Sequence, residues 1–141
     1  MTTFDTVENA AREADEATRR TSRARAARDQ AIRDARAAGA RPVDLAAASG
    51  LGRSTVHAAL RAAPGNPPEG EPLAYVERAA QAWREADEAE GEAHEARNIA
   101  IAQALDGGEL QPADVRRATG WGEARVYQAR DLGRDALAKR G

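Results

Sequence analysis

Residues 42–60 read Pro42-Val43-Asp44-Leu45-Ala46-Ala47-Ala48-Ser49-Gly50-Leu51-Gly52-Arg53-Ser54-Thr55-Val56-His57-Ala58-Ala59-Leu60. Proline suits the first turn of a helix, where its missing N–H costs nothing. Gly50 and Gly52 then break the segment, and a second short helix follows them. The pattern returns at Pro112-Ala113-Asp114-Val115-Arg116-Arg117-Ala118-Thr119-Gly120-Trp121-Gly122-Glu123-Ala124-Arg125-Val126-Tyr127-Gln128-Ala129-Arg130. Pro42, Asp44, Gly50, Gly52 and Val56 match Pro112, Asp114, Gly120, Gly122 and Val126 at an offset of about 70, so the chain contains an internal repeat.

The repeat extends upstream. Arg12-Glu13-Ala14-Asp15-Glu16-Ala17 recurs as Arg84-Glu85-Ala86-Asp87-Glu88-Ala89, and Arg28-Asp29 with Ile32, Ala35 and Gly39 matches Arg97-Asn98 with Ile101, Ala104 and Gly108. The first match lies one helical turn out of step with the second, so the alignment calls for a three-residue deletion that a long helix could absorb. Apolar residues recur at three and four over about residues 4–38 and 73–106, the spacing of one helical face. Gly39 and Gly107-Gly108 stop these segments. Between the copies, Pro64-Gly65-Asn66-Pro67-Pro68-Glu69-Gly70-Glu71-Pro72 cannot be helix and is the one clear linker, extended at about 3.1 Å per residue. The expected organisation is repeat 1 over 1–63, a linker over 64–72 and repeat 2 over 73–141.

Composition supports helix throughout. Of 141 residues, 36 are alanine, aromatics make up 4% and 31% are charged, which argues against a sandwich or barrel. The fold class expected is all-α: two repeats, each a long helix followed by two short helices, with the long helices packed on each other. Arg19, Arg20, Arg23, Arg25 and Arg28 crowd the first long segment, while Glu85, Asp87, Glu88, Glu90, Glu92 and Glu95 crowd the second. Antiparallel pairing would bring Arg25 and Arg28 to Glu85 and Glu88, and Arg19 to Glu92, as flanking charges do in coiled coils. Phe4, Val7, Ile32, Val76, Trp83 and Ile101 should then supply most of the apolar contact.

The stretch 42–60 resembles the DNA-binding helix-turn-helix, a short helix meeting a recognition helix through a tight turn. The resemblance covers about 20 residues. It implies that Gly50 takes the positive φ of the turn, that Ala46 is small so that the recognition helix packs close, and that Leu45, Leu51, Val56 and Leu60 point inward. It further implies sequence-specific binding of double-stranded DNA by a transcriptional regulator, with helix 53–62 in the major groove and Arg53, Ser54, Thr55, His57, Ala58 and Arg61 facing the bases. In the second copy Arg125 and Gln128 are the matching candidates. That copy departs from the family where Arg116 stands opposite Ala46 and Glu123 opposite Arg53. It either reads DNA differently or serves as a structural or protein-binding partner.

Other chemistry finds little footing. Cysteine is absent, which removes disulfides, thiolate catalysis and cysteine-held metals. Ser54 and His57 lack an acid to orient the imidazole, and Glu90 with His94 offers two metal ligands without a third. No catalytic residue, metal, cofactor or small-molecule ligand is expected. The N-terminus has no apolar leader and no stretch approaches a membrane span, so a cytoplasmic protein is expected. Lys139 is the only lysine against 20 arginines, a usage typical of a high-GC genome. Net charge is −2, with the first half basic and the second acidic. Besides DNA, the expected partner is a second copy paired through the long helices. The competing reading is a helical interaction module whose short helices are scaffolds.

Overall fold

The computed structural model describes all residues, Met1–Gly141, as six helices and no strand. They are α1 (Thr3–Ala37), α2 (Pro42–Ser49), α3 (Arg53–Ala62), α4 (Pro72–Asp106), α5 (Pro112–Thr119) and α6 (Glu123–Arg140). The fold is all-α, and α1 and α4 pack on each other.

Local chemistry sets the ends. Thr2 and Asp5 bond reciprocally at 3.1 Å to each other's backbone N–H, closing the start of α1. Gly39, at φ 100, ends it, and the Ala40 N–H returns to the Ala35 carbonyl at 3.0 Å. Gly108, at φ 73, ends α4 in the same manner. Gln111 and Asp114 form a capping box at the start of α5.

The chain condenses into two compact units that cut across the order of the sequence. One holds Arg19–Asp87: the second half of α1, α2, α3 and the first half of α4. The other holds Met1–Thr18 with Glu88–Gly141: the first half of α1, the second half of α4, α5 and α6. Each pair of short helices is therefore packed on the end of its own long helix and on the start of the other one. Within each unit the two long helices run antiparallel. Contacts pass from Thr21–Ala86 to Arg28–Trp83 in the first unit, and the Thr18–His94 contact belongs to the second.

The cores correspond residue by residue. Ile32, Ala35, Leu45, Val56, Ala59 and Val76 fill the 19–87 unit. Ile101, Ala104, Val115, Val126, Ala129 and Val7 fill the other. The eight largest fully buried side chains are four matched pairs: Ile32 and Ile101, Leu45 and Val115, Val56 and Val126, Val76 and Val7. This corrects the repeat alignment. Both long helices have 35 residues, and Val7 with Val76, Ala11 with Ala80, and Ile32 with Ile101 match at one offset of 69, without a deletion. The identity of residues 12–17 with 84–89 is one turn out of register. Arg12 and Arg84 are exposed, and burial rather than surface identity decides which residues correspond.

The charged seam is replaced by an alanine one. Ala11, Ala14 and Ala17 are buried in one unit and Ala80 in the other. Small side chains let backbones approach and leave long ones no room between them. Arg19, Arg25, Glu85, Glu88 and Glu92 all lie exposed and in no ion pair. Arg28 is only 5% exposed, and it bonds its own neighbour Asp29 at 3.0 Å and stacks over Trp83 at 4.7 Å rather than meeting Glu85 or Glu88. Of the apolar side chains expected in the seam, Val7, Ile32, Val76 and Ile101 are fully buried, while Phe4 and Trp83 are half-buried.

The linker is no free spacer either. The Asn66 N–H bonds Asp34 Oδ1 at 2.9 Å, and Gly65 lies so close to the backbone of α1 that a Cβ there would sit 2.2 Å from the Arg33 carbonyl. No helix is long and apolar enough to cross a membrane.

Candidate nucleic-acid interface

In the 19–87 unit, α2 ends at Gly50, whose φ of 73 turns the chain and whose N–H bonds the Ala46 carbonyl at 2.9 Å. Ser49 is buried beneath the turn. Its Oγ accepts the Leu51 N–H at 3.3 Å, and Arg84 donates to its carbonyl at 3.4 Å. With Gly52 as N-cap, α3 starts at Arg53. Val56 and Ala59 face inward, and Arg33 reaches from α1 to the Ala59 carbonyl at 3.1 Å. These contacts fix both the tilt and the rotation of α3.

Rotation decides what α3 shows. At about 100° per residue, Arg53, His57, Arg61, Ser54 and Ala58 fall within an arc of roughly 140°, and Thr55 lies about 60° beyond it. All six are exposed. Five of the six residues expected on this helix thus share one exposed arc, and Thr55 stands off it. Arg53 and Arg61 are held by no carboxylate, and α3 contains no acid. Beside it, Arg41, Pro42, Val43, Arg53, Val56 and His57 line an apolar-floored groove of about 360 Å³. Arg41, anchored to Asp44 at 3.1 Å, extends the basic margin onto the start of α2, a contribution that sequence reasoning missed.

Ala46 packs against the core of the 19–87 unit. It is half-buried, and Arg116 lies exposed at the matching place, so the position has an exit to solvent.

The turn of the other unit is built alike. Gly120 has φ 77, and Thr119 Oγ1 accepts the Trp121 N–H at 3.2 Å. The surface of α6 is not alike. Glu123 stands where α3 has Arg53, Asp131 where it has Arg61, and half-buried Tyr127 donates its hydroxyl to Glu123 at 3.4 Å. Of the two candidates here, Gln128 is exposed, whereas the Arg125 guanidinium lies over the Trp121 ring at 4.1 Å from its centroid. Arg97 lies over the same ring at 4.8 Å. This cluster went unread in the sequence, although its signal was there: Asn98 replaces Asp29 within an otherwise matching stretch.

No family model, curated protein or solved structure matches the chain.

Proposed function

We propose that the protein binds double-stranded DNA sequence-specifically, as a transcriptional regulator, with α2 and α3 forming a helix-turn-helix and α3 lying in the major groove. One observation carries this reading: α3 presents two unpaired arginines, a histidine and a serine on a single exposed arc without an acid, while its opposite side is locked into the core. Arginine donates two hydrogen bonds to the N7 and O6 acceptors of guanine, and the small Ala58 leaves room for a base edge. In this reading α5 and α6 repeat the motif's backbone without its reading surface, because Glu123 and Asp131 would meet phosphates with like charge.

Selection from a random duplex pool with the full chain tests it. An enriched sequence should emerge, bound with an affinity that falls steeply as salt rises. Arg53→Ala should weaken binding to that sequence by about 1–3 kcal/mol with helix content unchanged. Failure to enrich any sequence, or an unchanged affinity in Arg53→Ala, would overturn the assignment.

A further inference from the structure

The groove at the starts of α2 and α3 holds more than a basic margin. Pro42, Val43 and Val56 form its apolar side, and Arg41, Arg53 and His57 its polar one. Val56 is a core residue at 1% exposure, but Val43 stands 50% exposed on the first turn of α2. A singly exposed valine is ordinary on a protein surface. This one shares a groove with Arg53 and His57, which both belong to the exposed arc of α3. Asp44, the acid of α2, is taken up by Arg41 at 3.1 Å, and α3 has none, so neither helix turns a free carboxylate to an incoming polyanion.

The other unit shows which of these residues serve the fold. Pro42 and Val56 return as Pro112 and Val126, the one starting a helix and the other buried in a core. Arg41, Val43, Arg53 and His57 give way together to Gln111, Ala113, Glu123 and Tyr127. Where the arginine and the histidine of the reading arc are lost, the valine is lost as well, although it belongs to neither core.

In a helix-turn-helix the start of the recognition helix meets the base edges. In the major groove those edges display hydrogen-bond donors and acceptors, and one apolar substituent, the C5-methyl of a pyrimidine. We infer that the groove receives this methyl group, on a pyrimidine adjoining the guanine that Arg53 reads, and that Val43 is a specificity-determining residue although it lies outside the recognition helix. This rests on the DNA-binding reading above. Arg53 walls the groove, so a group that enters it adjoins the base pair that Arg53 touches. Thymine and 5-methylcytosine carry the same methyl.

The test uses the full chain and the duplex it selects. Thymines are replaced one at a time by deoxyuridine, which removes the methyl and leaves the O4 acceptor in place. One thymine beside a guanine should matter, with affinity falling about 4-fold, the worth of one buried methyl group. Val43→Ala should lower affinity for the unmodified duplex by a similar factor at unchanged helix content, and deoxyuridine should then cost nothing further. Cytosine at that position, bare or 5-methylated, identifies the source. A gain of about 4-fold on methylation extends recognition to either base, and no gain confines it to thymine; the inference holds in both cases. Affinity unchanged by deoxyuridine at every thymine would overturn it, and so would an equal deoxyuridine loss in Val43→Ala and wild type, or a selected sequence with no thymine beside a guanine. The role of α3 stays intact in these outcomes if Arg53→Ala still weakens binding. A wild-type chain that binds no duplex would bring down the DNA-binding reading, and this inference with it.

Discussion

The unit of residues 19–87 and the unit that joins residues 1–18 to 88–141 share one interior and differ in their exteriors. Inside, Ile32 corresponds to Ile101, Val56 to Val126, Val76 to Val7, and Leu45 to Val115, each buried in the core of its own unit. Outside, Arg53 and Arg61 give way to Glu123 and Asp131, and Thr55 to Arg125. Interior positions are constrained by volume, where a single methylene is felt, whereas exposed positions change charge sign at little cost to stability. A common scaffold can therefore carry two different surfaces, and function has to be argued from those surfaces.

The largest expected effect breaks the comparison at its tightest contact. Gly133 in α6 is buried against α4, and a Cβ there would meet the Asn98 carbonyl oxygen at 2.1 Å. Gly133→Ala should cost about 3 kcal/mol or more, well beyond the roughly 1 kcal/mol regained in helix propensity. Gly65→Ala meets the Arg33 backbone as closely but lies in the linker, which can lift away, so its cost should be smaller. Equal losses in denaturant titrations would show that the linker is as rigid as the helix.

A smaller effect sharpens the crossed construction. Val7 and Val76 are fully buried, and each completes a core made mainly by the short helices of the other repeat. Val76→Ala should cost about 2 kcal/mol and speed amide exchange around Leu45 and Val56. Val7→Ala should do the same around Val115 and Val126. Faster exchange around Val115 in Val76→Ala would contradict the division into these units.

The smallest effect is electrostatic and belongs to one unit. A hydrogen bond from Arg134 lowers the Asp106 pKa, and the Gln111 N–H, followed by Arg117, lowers that of Asp114. Carboxyls with lowered folded values stabilise fully above the ordinary aspartate value of about 3.9 and lose that contribution as pH falls through the folded value. Asp106 is exposed and Asp114 only half-buried, so the effect is slight. Amide exchange followed below about pH 4 should quicken at the ends of α4 and α5 before the 19–87 unit responds. Earlier quickening in α2 or α3 would reject this order.

Much of this was legible in the residues. Proline and glycine act through their own backbone geometry, so Pro42, Gly50, Pro112 and Gly120 marked the short helices, and Gly39 and Gly108 the ends of the long ones, without reference to anything distant. The exposed arc of α3 could also be read, because residues 53–61 share a helix and the period of a helix is known. Three features were out of reach. The register of the long helices follows Val7 and Val76, whose equivalence emerges only once both are buried; the longer surface identity at Arg12 and Arg84 misleads. The fate of Arg28 and Arg97 depends on Trp83 and Trp121, which reach them from other parts of the chain. The composition of the units was hidden as well. Periodicity announces that a helix has an apolar face but not which helix will cover it, because that choice is made by volumes and close approaches between segments some 70 residues apart. The sequence by itself determined the helices, their ends and the face of α3. The tertiary structure alone decided that each half of a long helix would complete the core of a different unit, since burial is a property of the packed set and not of any one segment.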